Sequence, residues 1–163
     1  MAVWQDRSRI RFAKRAAAEP IYLAWGRGNP AWDTTTPEEE GTKRSALIDE
    51  IGRAIATSVQ YVLPDETGPI KMPNGDRYRI SAEPTQWLYV RWDFDYADAA
   101  GERVREAAVF LGGSVVPGLP PGQTYFTKAQ VADPGDIALV EHLKTPIERT
   151  DTALEGQDYV IPF

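Results

Sequence analysis

Four carboxylates lie close together in one short stretch of the chain: Asp93, Asp95, Asp98 and Glu102. Paired carboxylates can act as acid and base in glycoside hydrolysis, and a cluster of oxygen ligands can hold a hard cation. In a strand, Asp93 and Asp95 would share one face about 7 Å apart. The spacing lacks the alternating oxygen positions and the sixth-position glycine of a calcium loop. We therefore predict a solvated strand end with no metal site, and weak metal binding and catalysis remain as alternatives.

Other residue types that support catalysis are sparse. The chain has a single histidine, His142, and no cysteine, whereas common zinc sites need several nitrogen or sulfur ligands. No Gly-x-Ser-x-Gly elbow accompanies this histidine. The run Gly26-Arg27-Gly28 lacks the Lys-Ser/Thr ending of a phosphate-binding loop and predicts a turn. We therefore predict a protein that is not an enzyme and binds no cofactor, with His142 in a structural or surface role.

Charge is distributed unevenly along the chain. The whole sequence carries a net charge of −6, but residues 1–20 carry +3, which leaves −9 on the rest. Opposite charges on an arm and a body favour head-to-tail association, in which the arm of one copy docks on an acidic neighbour. A frayed, solvated terminus is the alternative. The acidic remainder argues against a nucleic-acid partner. The basic side chains of the arm are Arg7, Arg9, Arg11, Lys14 and Arg15.

Aromatic residues are numerous, with five Trp and seven Tyr. Such side chains serve both as core residues of small β domains and as interface anchors. A strand over residues 86–94 would place Trp87 and Tyr89 on the face opposite its core. The predicted core-facing residues of that strand are Leu88, Val90, Trp92 and Phe94. The predicted interface residues of the whole chain are Trp4, Arg7, Arg11, Arg15, Trp32, Trp87 and Tyr89.

The elements that position these residues are predicted to be short. The 163 residues include 13 Gly and 13 Pro, which favours many short elements in one domain. Helical signals occur at three places: the Ala-rich residues 2–19, the Thr/Pro/Glu run 34–40, and residues 45–52. No apolar run reaches the length of a membrane span, about 18 residues, and the N-terminus is too charged for a signal peptide. We expect no membrane contact and synthesis in the cytoplasm.

Strand signals fill most of the remaining sequence. The Asn74-Gly75 pair predicts a tight hairpin turn between residues 70–72 and 78–80, because both turn residues tolerate positive φ. Residues 112–122 contain too many Gly and Pro for a regular element and predict a long loop. Further strands are predicted at residues 21–25, 58–62, 103–111, 125–127, 138–143 and 159–161.

Two β-prone runs within residues 89–113 carry a resemblance to a known group of proteins. They are joined by a Gly-containing turn, and the second run includes Val104-Arg105-Glu106-Ala107-Ala108-Val109-Phe110. This heptapeptide resembles the "IREVGLF" signature of the tail-collar fibre and baseplate wedge proteins of contractile-tailed bacteriophages, with Ala108 in place of the usual Gly. Weaker similarities lie at residues 22–25, 29–32 and 159–161. The resemblance implies a β-rich domain that joins baseplate or fibre components, and it brings no catalytic residues.

The second β-prone run also has a predicted orientation. Val104, Ala108 and Phe110 are expected to face a core. We expect the strand alternation to change register at the Arg105-Glu106 pair.

These observations combine into one prediction of fold and function. The fold is predicted to be mainly β (α+β), with one antiparallel, sandwich-like domain over residues 21–163, one or two short helices, and a basic arm over residues 1–20. The resemblance implies a virion structural protein of the tail baseplate or fibre-attachment region. Such a protein would be present in multiple copies in a symmetric assembly, bound to other tail proteins. A carbohydrate or host-surface binding module and a non-enzymatic assembly chaperone or adaptor remain as alternatives.

Overall fold

The structure, a computed structural model, describes residues 1–38 and 41–163. It is mainly β and antiparallel, which confirms the predicted fold class. One α-helix opens the chain, α1 (Asp6–Ala17), and two 3₁₀ helices span Pro30–Asp33 and Lys128–Gln130. The strands are β1 (Ile21–Gly26), β2 (Glu50–Ile55), β3 (Ser58–Pro64), β4 (Ile70–Lys71), β5 (Arg77–Ile80), β6 (Trp87–Phe94), β7 (Arg103–Leu111), β8 (Ser114–Val115), β9 (Tyr125–Thr127), β10 (Val131–Asp133), β11 (Asp136–Glu148) and β12 (Glu155–Pro162).

The strands form two five-stranded sheets and one two-stranded ribbon. The first sheet has the order β11-β7-β1-β2-β9, and the second has the order β12-β6-β3-β5-β4. Strands β10 and β8 form the ribbon. No helix in the described residues is long and apolar enough to cross a membrane.

The chain divides into two compact units. The first, which we call the helix unit, contains residues 1–19, 56–92 and 156–163. The second, which we call the β7 unit, contains residues 20–55 and 93–155. The predicted boundary between an arm and a body at residue 20 stays a prediction.

The helix unit is built on the alternation of β6. Leu88, Val90 and Trp92 are fully buried, which confirms the predicted core face. Trp87 lies on the other face opposite Val62 of β3, and directly opposed residues of an antiparallel pair share a face. Because Val62 is also fully buried, this second face is covered at that position as well.

The β7 unit is built around a strand that is buried on both faces. Val104, Ala108 and Phe110 lie on the core face as predicted, but Ala107 and Val109 on the opposite face are equally buried. A strand that is paired on both edges and packed on both faces has a nearly continuous apolar sequence.

The predicted change of register at Arg105-Glu106 is wrong. β7 is one unbroken strand, and its pairing with β1 runs in constant register from Glu106 to Leu111. The pairing of β7 with its other neighbour, β11, is irregular at two places on β11, between Ile137 and Leu139 and between His142 and Ile147. The second shift lies opposite Arg105, but it interrupts the pairing and not the alternation of β7 itself. Glu106 therefore belongs to the core face of β7 together with Ala108 and Phe110.

Two of the three predicted helices are wrong. Residues 34–38 form no helix, and residues 39–40 of that prediction lie outside the described residues. Residues 45–49 form no helix either, and residues 50–52 are the start of β2. The apolar spacing in residues 47–51 has a different cause: Leu47 packs into the core cluster of the β7 unit, while the Ile48 side chain is 56% exposed.

The remaining elements follow the sequence prediction. The hairpin at Asn74-Gly75 is confirmed: β4 and β5 pair antiparallel and Gly75 has a φ of 94°. The α1 helix and the other strands are confirmed, with β11 longer than expected. The loop 112–122 contains only the two-residue strand β8.

Gly26 of β1 lies directly against a buried side chain of β7. It pairs directly with Glu106, and the pairing of β1 with β2 shifts register at the same point. A Cβ built on Gly26 would lie 2.5 Å from Oε1 of Glu106. The glycine therefore provides the space that the buried carboxylate occupies.

Replacing Gly26→Ala is expected to destabilise the protein by about 1–3 kcal/mol, because the added methyl group overpacks a fixed carboxylate. Urea unfolding of purified protein would measure the change. Gly41→Ala is the matched control, since a Cβ there meets no atom within 4 Å. Equal unfolding midpoints for the two variants would contradict the assignment.

Candidate interaction surface

The α1 helix presents two opposite faces of different chemistry. Ala13 and Ala16 are buried, and these small side chains let the helix backbone pack closely. A 12-residue helix is marginal by itself in water, so this packing provides its stability. The opposite side is basic because residues four apart share a helix face. It is lined by Arg7, Ile10, Arg11, Lys14, Arg15 and Ala18, which enclose a shallow depression of about 450 Å³. We call this surface the basic face.

The cations of the basic face differ from most arginines of the β7 unit in their pairing. Arg27 binds Glu102 and Asp49, Arg53 binds Glu50, and Arg105 binds Asp33. The basic-face residues Arg7, Arg11, Lys14 and Arg15 are all exposed and form no ion pair with any residue of 1–38 and 41–163. Four adjacent positive charges are therefore presented to solvent.

An aromatic pair lies beside the basic face. The rings of Trp4 and Phe12 are 5.3 Å apart, and both side chains are exposed, at 57% and 42%. The guanidinium of Arg9 lies 5.5 Å from the centre of the Trp4 ring, and its Nη1 donates a hydrogen bond to the carbonyl oxygen of Phe163 at 2.9 Å. An exposed aromatic pair next to unpaired cations has the composition of an interface anchor.

The two predicted interface aromatics of β6 are less accessible. Trp87 and Tyr89 are half-buried. The Tyr89 hydroxyl donates a hydrogen bond to Oδ2 of Asp158 at 2.8 Å. Burial and this neighbouring carboxylate raise the pKa of Tyr89 above its ordinary value. Tyr89 therefore has a structural role within the helix unit.

Trp32 lies in a cleft of the β7 unit. The cleft is lined by residues 32–38 and 140–144 and has a volume of about 730 Å³. We call it the β11 cleft. The Trp32 ring packs on the imidazole of His142 with a centroid distance of 4.1 Å, so the single histidine has a packing role. Partly exposed Val140 and Leu143 supply apolar surface, and Glu38 and Glu141 supply exposed carboxylates.

A family model described as "baseplate wedge 3 tail fiber network component" matches residues 1–163. The chain belongs to this family. A comparison with curated proteins gave no match. Membership confirms the resemblance that the β7 heptapeptide carried, and it extends that resemblance from one strand to the whole chain. The chain is a structural component of the phage baseplate wedge and tail fibre network, located in the virion tail and associated with other tail proteins.

The acidic cluster of this baseplate wedge component is built into local structure. Oδ2 of Asp98 accepts a hydrogen bond from the Asp95 backbone N–H at 2.7 Å, and Oδ1 of Asp95 accepts one from the Tyr96 N–H. Glu102 binds Arg27 through both carboxylate oxygens. Burial raises the pKa of Asp98. Within the described residues no three acidic or histidine side chains come together as a metal site.

The sequence analysis did not predict the burial of three charged residues of the baseplate wedge component: Arg53, Glu106 and Arg149. Arg149 donates to the backbone oxygens of Asp95, Asp98 and Ala153, and so closes the loop that contains the acidic cluster. A buried charge gives no periodic signal in the sequence, because its partners are fixed by the tertiary structure.

The Asp33 carboxylate fixes the loop that forms one wall of the β11 cleft. Oδ1 and Oδ2 of Asp33 accept hydrogen bonds from Arg105 Nε and Nη2, both at 2.8 Å, and Arg103 Nε lies 3.3 Å from Oδ1. The Arg105 guanidinium lowers the pKa of Asp33 below its ordinary value. The charged form is therefore the form that stabilises this loop.

Stability at low pH should depend on Asp33. Because the folded-state pKa is lowered, its contribution is complete above the ordinary aspartate pKa, about 3.9, and is lost as the pH falls through the folded value. Asp33→Asn should lower the midpoint of urea unfolding at pH 7. The difference in midpoint between the variant and the parent should become smaller as the pH falls from 5 to 2. Asp151→Asn, at an exposed position, is the control. A difference that stays constant with pH would contradict the assignment.

Proposed function

We propose that this chain acts as a connector in the tail baseplate, binding neighbouring tail proteins through the basic face of α1 and the adjacent Trp4–Phe12 pair. The observation that carries the proposal is the absence of counter-ions for Arg7, Arg11, Lys14 and Arg15 within the described part of the chain. A connector needs charge and aromatic surface that its own fold leaves available.

The charge repulsion within α1 indicates that these cations do not serve to stabilise the helix. Like charges four residues apart on a helix destabilise it by about 0.2–0.5 kcal/mol per pair. Arg7, Arg11 and Arg15 form two such pairs. Only Lys14 and Arg15, in the last turn, gain from the negative end of the helix dipole. The arrangement therefore does not improve the isolated helix, and a negatively charged partner would offset its cost.

The loop 112–122 and the sheet edges are proposed as secondary contacts. The edge strands are β11 and β9 in one sheet and β12 and β4 in the other. Along β11, Lys144, Pro146 and the irregular pairing after His142 discourage the addition of another strand. Side-chain contacts rather than strand pairing are thus the expected mode at that edge.

The carbohydrate-binding alternative has weaker support. It depended on the aromatic residues, Trp87 among them, and on the carboxylates of Asp93, Asp95 and Asp98. Trp87 is half-buried opposite the buried Val62, and the carboxylates of Asp95 and Asp98 accept hydrogen bonds from backbone N–H groups of their own turn. Protein binding through the exposed helix face is the function that the geometry supports best.

A charge-reversal experiment in the phage tests the proposal. The triple variant Arg7→Glu/Arg11→Glu/Arg15→Glu should reduce incorporation of this protein into purified particles by about tenfold or more, because each changed side chain would repel an acidic partner. Quantitative mass spectrometry of particles would measure incorporation. Circular dichroism of the purified variant would confirm that its β structure is retained.

The matched control changes the same total charge at exposed cations elsewhere, with Lys43→Glu/Arg79→Glu/Lys128→Glu. Parental incorporation is expected for this variant. If the triple arginine variant also entered particles at the parental level, the basic face would have no role in assembly.

A further inference from the structure

Resting on the proposed function, we propose that one partner of the basic face is a second copy of this chain, and that the N-terminal segment of one copy docks into the β11 cleft of the next. The donor surface is the basic face with the Trp4–Phe12 pair. The acceptor surface is the cleft lined by residues 32–38 and 140–144.

Charge complementarity is the first argument for a second copy. Residues 1–20 carry +3 and the rest of the chain carries −9, so the chain supplies both signs needed for the contact. The four basic-face cations lack counter-ions among the described residues. The cleft presents the exposed carboxylates Glu38 and Glu141 and one exposed lysine, Lys144, so negative charge is in excess among these three groups. Because the donor and acceptor are different surfaces, each copy can donate its N-terminal segment to one neighbour and accept that of another, or two copies can exchange segments reciprocally across a two-fold axis.

The apolar content of the two surfaces also matches. The donor presents Trp4 and Phe12, both substantially exposed. The acceptor presents Trp32, Val140 and Leu143, which are only partly buried. The cleft volume of about 730 Å³ gives room for large side chains. An interface with a desolvated aromatic centre and a charged rim is the arrangement that concentrates binding energy.

The acceptor wall is rigid enough to form a docking site. Asp33 is bound by Arg105 and Arg103, Thr35 Oγ1 donates a hydrogen bond to the Ala31 carbonyl at 2.7 Å, and the Trp32 ring packs on His142. Less ordering free energy is therefore required on binding than for a mobile loop.

A donor surface and an acceptor surface on one chain generate a head-to-tail series of copies. Such a series closes into a ring if the rotation between copies allows it and otherwise extends. If one molecule has lost its donor surface and the other has lost its acceptor surface, only one contact can form between them. This property provides a sharp test.

The test uses full-length protein and sedimentation velocity over a range of concentrations. The donor variant is Arg7→Gln/Arg11→Gln, and the acceptor variant is Glu38→Gln/Glu141→Gln, because neutral side chains remove each surface without creating a new complementary pair. Each variant alone should self-associate more weakly by about tenfold or more. When the two variants are mixed, the intact cleft of the donor variant should bind the intact basic face of the acceptor variant. The product should be a complex of one molecule of each variant and nothing larger. The parent should dissociate when salt is raised to about 0.5 M, because screening weakens exposed charge contacts.

Matched controls test whether the effect depends on the two proposed surfaces and not on net charge or exposed apolar area in general. Lys71→Gln/Lys128→Gln and Glu66→Gln/Glu83→Gln make the same charge changes at exposed positions outside both surfaces and should associate like the parent. Trp4→Ala should weaken association, while Leu154→Ala, which removes a similarly exposed apolar side chain, should not.

Several results would overturn the inference. They are a parent that stays monomeric at all concentrations, association that neither variant weakens, a mixture that fails to give the one-to-one complex, or a basic face that binds duplex DNA and not a second copy. Loss of incorporation into particles by the triple arginine variant, combined with unchanged self-association, would remove this inference while leaving the proposed function in place.

Discussion

The buried carboxylate of Glu106 is the interaction on which the β7 unit depends. It is fully buried in the central strand β7, where an unpaired charge would be prohibitively costly. Oε1 accepts hydrogen bonds from the backbone N–H groups of Ile48 and Asp49 at 2.8 and 3.3 Å, and Oε2 lies 3.3 Å from Arg44 Nη2. One side chain thus holds the segment that precedes β2 and requires Gly26 opposite it. The core of this unit is assembled around a charge that must be satisfied.

The neighbouring residue Arg105 performs the corresponding task on the opposite face of β7. It binds Asp33 and also donates to the carbonyl oxygen of Arg27 at 2.9 Å. Because successive residues of a strand point to opposite faces, the Arg105-Glu106 pair fixes one irregular segment on each side. The two charged residues of the heptapeptide that resembles the family signature therefore each hold an irregular segment in place. Arg105 of this pair also fixes the wall of the β11 cleft, because it binds Asp33 in that wall.

Cations have two separate uses in this protein. In the β7 unit, arginines satisfy carboxylates and backbone oxygens: Arg53 binds Glu50 and the Pro134 carbonyl while its guanidinium lies 4.0 Å from the centre of the Phe110 ring. Guanidinium groups suit such sites because they combine planar stacking with several donors. On α1 the equivalent groups face solvent. This contrast between satisfied and available charge, together with family membership, supports the connector role.

The sequence by itself determined the elements whose signals are local. Alternation along residues 86–94 predicted β6 and its core face, Asn74-Gly75 predicted its hairpin, and the Ala-rich basic segment predicted α1, because each depends on neighbours in sequence. The tertiary structure decided what depends on distant partners. The apolar spacing of residues 45–52 matched a helix, yet Glu106 captures the N–H groups of Ile48 and Asp49 and β2 begins at Glu50. Which arginines are satisfied and which remain exposed was likewise decided largely by distant contacts, such as those of Arg105 with Asp33 and of Arg27 with Glu102, 72 and 75 positions apart, since composition carries no record of pairing.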